Sequence, residues 1–161
     1  MPYKLQPGCS IDDADGIAKN NVLAFWQQTW WRILFAAPQE TVLNKVISRT
    51  PHNLLTQREV RRHQVVVEPT TGNIVGYARW ILPAEYSQEW TEAQTEGVGD
   101  ADATRFQDAF RATVLPFGEH QDEMDALDHP VEAKQKELAP KGPYLSKLEQ
   151  LYKGFKHREN S

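Results

Sequence analysis

Two runs of β-branched and aromatic residues, separated by turn-forming residues, constrain the fold of this chain more than any other feature. The first run occupies residues 62–68 and the second occupies residues 74–82. Between them lies the sequence Pro-Thr-Thr-Gly-Asn, at residues 69–73, and these residue types favour tight turns. Two such runs with a short glycine-containing connection predict an antiparallel hairpin over residues 62–82.

The rest of the chain has mainly helical patterns. A short strand is predicted at residues 3–6, and Ser10 with the aspartates that follow it is typical of a helix start. A second helix is predicted to begin after Pro38 and to close at Pro51. Helices are therefore predicted over residues 11–25, 39–51, 104–115 and 131–138, whereas residues 144–151 fit either strand or helix. The fold class is α/β, more narrowly α+β: a mixed, mainly antiparallel sheet with flanking helices.

Length and charge limit the domain organisation and the partners. The 161 residues suit a single domain, 1–161, and the formal net charge of -4 argues against nucleic acid as a partner. Acidic residues concentrate in 85–104, predicted to be a surface loop, and the tail 152–161 is basic. The longest apolar run, residues 33–38, is far shorter than the ~20 residues of a membrane helix. With a single cysteine, Cys9, the chain suits a reducing compartment, and we predict a cytoplasmic protein.

One acidic segment also contains two histidines, a mixture that can bind metal ions. Its members are His120, Asp122, Glu123, Asp125, Asp128 and His129. Their spacing matches no established ligand signature, and such charge runs usually form a solvated face. We therefore predict no metal site.

Several local sequences resemble those of fungal proteins related to the GCN5-related N-acetyltransferase (GNAT) family. They include Tyr-Lys-Leu-Gln-Pro at residues 3–7, Ala-Phe-Trp at 24–26 and Arg-His-Gln at 62–64. The clearest is Gly-Tyr-Ala-Arg-Trp-Ile-Leu-Pro at 76–83. The resemblance covers roughly residues 2–151 and implies the N-terminal half of the GNAT fold.

The resemblance also implies an activity and a set of site residues. GNAT enzymes transfer an acyl group from acetyl-CoA or another acyl-CoA to an amine, which attacks the thioester carbonyl directly. The junction of the first two helices helps to wall the acceptor pocket in that fold. A small-molecule acceptor is therefore expected against the aromatic side chains Trp26, Trp30, Trp31, Phe35 and Trp80. By the same resemblance, Glu149 is the candidate base, and Leu148, Lys153 and Gly154 are the candidate coenzyme contacts.

The sequence departs from the family pattern where the coenzyme is held. GNAT proteins bind the pyrophosphate with a glycine-rich loop that opens a helix, because backbone N–H groups must approach the phosphates closely. Residues 145–158 contain one glycine, Gly154. We therefore expect a GNAT-like domain truncated before that loop, with acetyl-CoA affinity no better than about the millimolar range.

Three functions remain open on the sequence alone. The first is an acyl-CoA-dependent N-acyltransferase impaired by that departure. The second is a non-catalytic remnant that binds a small molecule, or a second copy of itself through an exposed sheet edge. The third is an isomerase- or cyclase-like enzyme that reuses the acceptor pocket, since a fold does not fix a function.

Overall fold

The computed structural model describes residues 3–115 and, further along, Asp122, Ala126, His129, Pro130, Ala133, Lys134 and Glu137. The chain consists of two compact units, Met1–His120 and Gln121–Ser161. The first unit contains the sheet, four α-helices and every side-chain cluster described below. In the second unit, Lys134 and Glu137 are helical and their side chains form an ion pair of 2.8 Å.

The described sheet has three antiparallel strands, β1 (Lys4–Pro7), β2 (Arg61–Val67) and β3 (Ile74–Ile81), in the order β1-β2-β3. The predicted hairpin is confirmed as β2 and β3, and its turn is closed by a hydrogen bond from the Glu68 N–H to the Asn73 carbonyl. Together with the helices, this sheet confirms the prediction of an α+β fold.

Helices connect β1 to β2 and supply most of the core. A 3-10 turn (Ile11–Asp13) leads into α1 (Ala14–Trp26), and α2 (Thr29–Leu34) and α3 (Gln39–Leu55) follow. The predicted helix start is confirmed, since both the N–H and the hydroxyl of Ser10 donate to the Asp13 carboxylate. Helix α1 and helix α3 pack on one face of the sheet through a core of Cys9, Ala14, Ile17, Leu54 and Val65.

Pro51 does not end the helix that contains it, contrary to the prediction. Helix α3 continues for another turn, to Leu55. Proline removes one helical hydrogen bond and crowds the preceding turn, a cost of about 3 kcal/mol. Leu54, only 1% exposed, is buried in the core by that extra turn. Burial of this leucine offsets the cost of the proline. The sequence around Pro51 does not indicate this burial, because Leu54 packs against residues of other elements.

The acidic segment at 85–104 differs from the predicted surface loop. It contains two 3-10 turns, Ala84–Tyr86 and Thr91–Ala93, and the next helix, α4 (Asp100–Ala112), begins four residues before the predicted start. Ala93 and Thr95 are buried. The middle of this segment therefore belongs to the interior, and sequence polarity alone did not indicate it.

Arg62 fixes this segment to the sheet. Its side chain is fully buried and donates hydrogen bonds to the carbonyls of Arg58, Glu59, Arg61, Ser87 and Glu89. The shortest bond, 2.6 Å, runs to Ser87. A guanidinium has five N–H donors in a planar fork, so one arginine can satisfy carbonyls from two distant parts of the chain.

The remaining predictions lie outside the described residues, in whole or in part. Only three residues of the helix predicted over 131–138 are described, and all three are helical. The strand or helix at 144–151 and the basic tail 152–161 fall entirely outside. Among the residues that the structure does describe, no helix has the length and apolar character needed to cross a bilayer.

Candidate functional site

Four aromatic rings meet where α1 ends and α2 begins. The Trp26 and Phe35 rings are stacked with centroids 6.5 Å apart, and Phe35 contacts Trp31 edge-on at 5.1 Å. Trp31 in turn stacks on Phe25 at 5.2 Å. Phe35 is buried, whereas Phe25 is 42% exposed. We call Phe25, Trp26, Trp31 and Phe35 the aromatic cluster; it runs from the interior to the surface and can stack a flat ligand at its outer end.

Three of the five predicted acceptor-binding residues belong to the aromatic cluster: Trp26, Trp31 and Phe35. Trp30 directly precedes Trp31 in α2, and its side chain is not among those that the structure describes. Trp80 lies elsewhere. It pairs with Arg62 across the hairpin, its indole N–H donates to Gln64 at 3.0 Å, and its ring lies 6.2 Å from that of Trp90.

The position of Trp80 follows from strand alternation. Val65 faces the helices, so the adjacent residue Gln64 faces the opposite side of the sheet. Arg62 is on the same side as Gln64, and so is Trp80, which lies opposite Arg62 in the hairpin. Trp80 therefore lies on the face of the sheet opposite the one on which α1 packs. Glu149, Leu148, Lys153 and Gly154, the predicted base and coenzyme contacts, lie outside the described residues.

A second cluster of side chains lies on the helix-covered face of the hairpin. The sequence did not predict it. His63 is 1% exposed, and its Nδ1 atom is 2.9 Å from the hydroxyl of Tyr77. Burial, and then the charges of Arg79, Arg61 and Arg62, lower the pKa of His63 to about 4. Burial raises the pKa of Tyr77 to about 12. Both side chains are consequently neutral at pH 7.

Two arginines accompany this pair. In the register of the hairpin, His63 is opposite Arg79 and Arg61 is opposite Ile81, so both arginines share a face with His63. Burial, followed by the charge of Arg79, lowers the pKa of Arg61. We call Arg61, His63, Tyr77 and Arg79 the basic cluster. The sequence placed His63 at a strand end; the residues level with it could not be predicted, because a β-bulge between Val66 and Val67 shifts the register of the hairpin.

A cleft of about 500 Å³ lies between α3 and α4, lined in part by His52, Asp100 and Gln107. It is open to solvent, and the His52 ring already packs on Phe110 with a centroid separation of 4.4 Å. Burial, followed by the charges of Arg111 and Arg49, lowers the pKa of His52. In the described part of the chain, no group of three or more metal-ligating side chains converges.

Comparisons of the chain with protein families, with curated proteins and with solved structures found no match. The two clusters and the sequence resemblance are therefore the basis for a functional proposal.

Proposed function

We propose that this chain is a GNAT-like cytoplasmic protein that transfers an acyl group from acyl-CoA to the amine of a flat or apolar small molecule. The observation that carries the proposal is the aromatic cluster at the junction of α1 and α2, the place where the resemblance implies the acceptor pocket. The element order is compatible with it, because helices separate β1 from an antiparallel hairpin that extends the same sheet.

The aromatic cluster gives the acceptor apolar contacts rather than catalytic groups. Trp31 and Phe25 form its outer, stacked pair, and a flat ring placed against them gains stacking and buried apolar area. The amine would then attack the thioester carbonyl, with Glu149 taking its proton directly or through water, as the resemblance implies. His63, neutral and buried beneath the helices, is not positioned as this base.

The proposal is tested with a pair of tryptophan variants. Coenzyme A release from acetyl-CoA is measured against a panel of aromatic and aliphatic amines, using wild type, Trp31→Ala and the control Trp80→Ala. We expect turnover with an aromatic amine, a KM for the amine raised about tenfold or more in Trp31→Ala, and a nearly unchanged KM in Trp80→Ala. Loss of acceptor binding in Trp80→Ala but not in Trp31→Ala would place the acceptor on the other side of the sheet and refute the proposal.

A second candidate function is binding without transfer, and the single glycine in residues 145–158 favours it. In that case an aromatic amine quenches tryptophan fluorescence saturably, and the same quenching is lost in Trp31→Ala, yet no coenzyme A is released. Titration calorimetry with acetyl-CoA separates the two functions further. Micromolar affinity supports the enzyme, and millimolar or weaker affinity supports the binding protein.

A second copy of the chain is the partner proposed for such a binding protein. Strand β1 pairs with β2 on one side; its residue Leu5 is 51% exposed, and Tyr3, directly before the strand, is 66% exposed. Exposed apolar residues on an edge strand favour pairing with another strand. Sedimentation equilibrium of wild type and Leu5→Lys tests this, with a dimer in wild type and a monomer in the variant as the expected result.

A further inference from the structure

The two arginines of the basic cluster are close neighbours of like charge. Arg61 is opposite Ile81 and Arg79 is two residues before Ile81, so they are diagonal neighbours on one face of the hairpin. Such pairs lie about 7–8 Å apart, within reach of long side chains. The charge of Arg79 lowers the pKa of Arg61, as expected for two like charges that lie close together.

No described carboxylate forms an ion pair with either arginine. The described ion pairs, Arg105 with Asp102 and Lys134 with Glu137, involve neither arginine. Glu59 lies close enough to favour the charged form of Arg61 but forms no ion pair with it. Among described residues the Arg61 Nε atom is buried without a hydrogen-bond partner, whereas its Nη1 donates a long hydrogen bond, 3.5 Å, to the Asn53 carbonyl.

His63 adds a second unsatisfied donor to the same face. Its Nδ1 is occupied by Tyr77, whereas its Nε2 is buried and has no partner within the described part of the chain. When the Tyr77 hydroxyl donates to Nδ1, the neutral imidazole carries its proton on Nε2. In that tautomer Nε2–H is a buried donor without an acceptor among the described residues, which costs about 1–3 kcal/mol.

Solvent can reach this part of the sheet. Along the helix-covered face, Val65 and His63 are buried, whereas Arg79 and Ile81 are exposed and Arg61 is half-buried. The helical cover therefore ends at His63. A small ligand can therefore reach Arg79 and the outer part of Arg61, and it contacts Nε2 of His63 only when the side chains above that atom shift.

We propose that Arg61 and Arg79, with Nε2 of His63 as an inner donor, bind a small oxyanion: the carboxylate or the phosphate group of a soluble ligand. Both groups present acceptor oxygens that match the planar fork of a guanidinium. An oxyanion between the two arginines replaces their repulsion by two attractions and satisfies the buried donors. This site lies apart from the aromatic cluster and does not depend on acyl transfer.

The test uses the whole chain with inorganic phosphate and with acetate, each at constant ionic strength maintained with chloride. The ring signals of His63 are followed by NMR at pH 7, and the thermal unfolding midpoint is measured in parallel. We expect saturable shifts and a higher midpoint with at least one of the two anions. Saturation by phosphate alone assigns a phosphate ligand, by acetate alone a carboxylate ligand, and by both a general oxyanion site.

Three variants decide whether the binding belongs to the basic cluster. Arg79→Gln, at an exposed position where folding is preserved, is expected to weaken binding about tenfold or more, as loss of a charge-assisted hydrogen bond does. Arg61→Lys keeps the positive charge but loses the planar guanidinium, so this variant is also expected to bind the oxyanion more weakly. Arg105→Gln removes an arginine whose side chain is 68% exposed and leaves affinity unchanged. Equal responses to chloride and both oxyanions, or wild-type affinity in Arg79→Gln, would overturn the proposal.

Discussion

The Nδ1 atom of His63 lies 2.9 Å from the hydroxyl of Tyr77, and the two rings are nearly parallel, with an interplanar angle of 15°. The hydrogen bond joins neighbouring strands beneath the helices, where His63 is only 1% exposed. Because burial disfavours both imidazolium and phenolate, this pair stays neutral over the physiological pH range. It is a polar contact where the apolar core meets the two arginines of the basic cluster.

The neutral His63 makes folding stability depend on pH. Its pKa is about 4 in the folded chain against 6.5 when unfolded, so the unfolded state takes up a proton first as pH falls. The free energy of unfolding should therefore decrease between pH 6.5 and pH 4, by about 3 kcal/mol from this group. Above pH 6.5 the group contributes no slope.

Denaturant unfolding of wild type and His63→Leu across this pH range measures the effect. The difference between the two proteins should change with pH by that amount, since the carboxylates titrate in both. Tyr77→Phe is the matched comparison: it should lose about 1 kcal/mol at neutral pH and retain the slope, because burial causes the shift. An identical pH dependence in wild type and His63→Leu would contradict the prediction.

Arg62 should be among the most sensitive positions of the chain. Arg62→Met leaves the carbonyls of Ser87 and Glu89 without this donor, and we expect a loss of at least about 3 kcal/mol in the free energy of unfolding. Limited proteolysis should then cut within residues 84–95. Arg105→Met, on the surface of α4, should change stability by less than about 0.5 kcal/mol. Similar stabilities for the two variants would mean that Arg62 does not hold this segment.

Two glycines with positive φ provide a matched pair. Gly8 has φ 78° and Gly72 has φ 72°. A Cβ on Gly8 would lie 2.6 Å from the carbonyl oxygen of Glu92, whereas a Cβ on Gly72 would meet nothing within 4 Å. Gly72→Ala should cost about 1 kcal/mol from backbone strain alone. Gly8→Ala should cost a further ~1–3 kcal/mol, because the Glu92 backbone must move; equal losses in chemical unfolding would disprove the clash.

Cys9 should be chemically inert while the chain is folded. It is 6% exposed, its sulfur lies 3.6 Å from the hydroxyl of Thr95, and burial raises its pKa to about 11. Since the thiolate is the reactive form, an aromatic disulfide reagent at pH 8 should react slowly with the native chain and rapidly in denaturant. Complete modification of native protein at the denatured rate would show that the thiol is accessible.

Local sequence determined the elements whose causes lie within a few residues. The β-branched runs and the turn at 69–73 are sufficient for the hairpin, and Ser10 with Asp13 is sufficient for the first helix start. The alternation did not fix which residues lie level across β2 and β3, because a β-bulge between Val66 and Val67 shifts the register. Trp26, Trp31 and Phe35, predicted to share a site, do come together, because α1 and α2 are separated by only two residues.

Tertiary structure decided what depends on partners distant in the chain. Arg61, Arg62 and His63 form a basic sequence that suggests exposure, yet Arg62 and His63 are buried. Carbonyls at 87 and 89 accept hydrogen bonds from Arg62, and the Tyr77 hydroxyl pairs with Nδ1 of His63. Pro51 remains helical because Leu54 enters a core built from other elements. Burial compensates a local cost only when the covering residues are in place, and their positions are set by the packing of the whole unit rather than by neighbouring sequence.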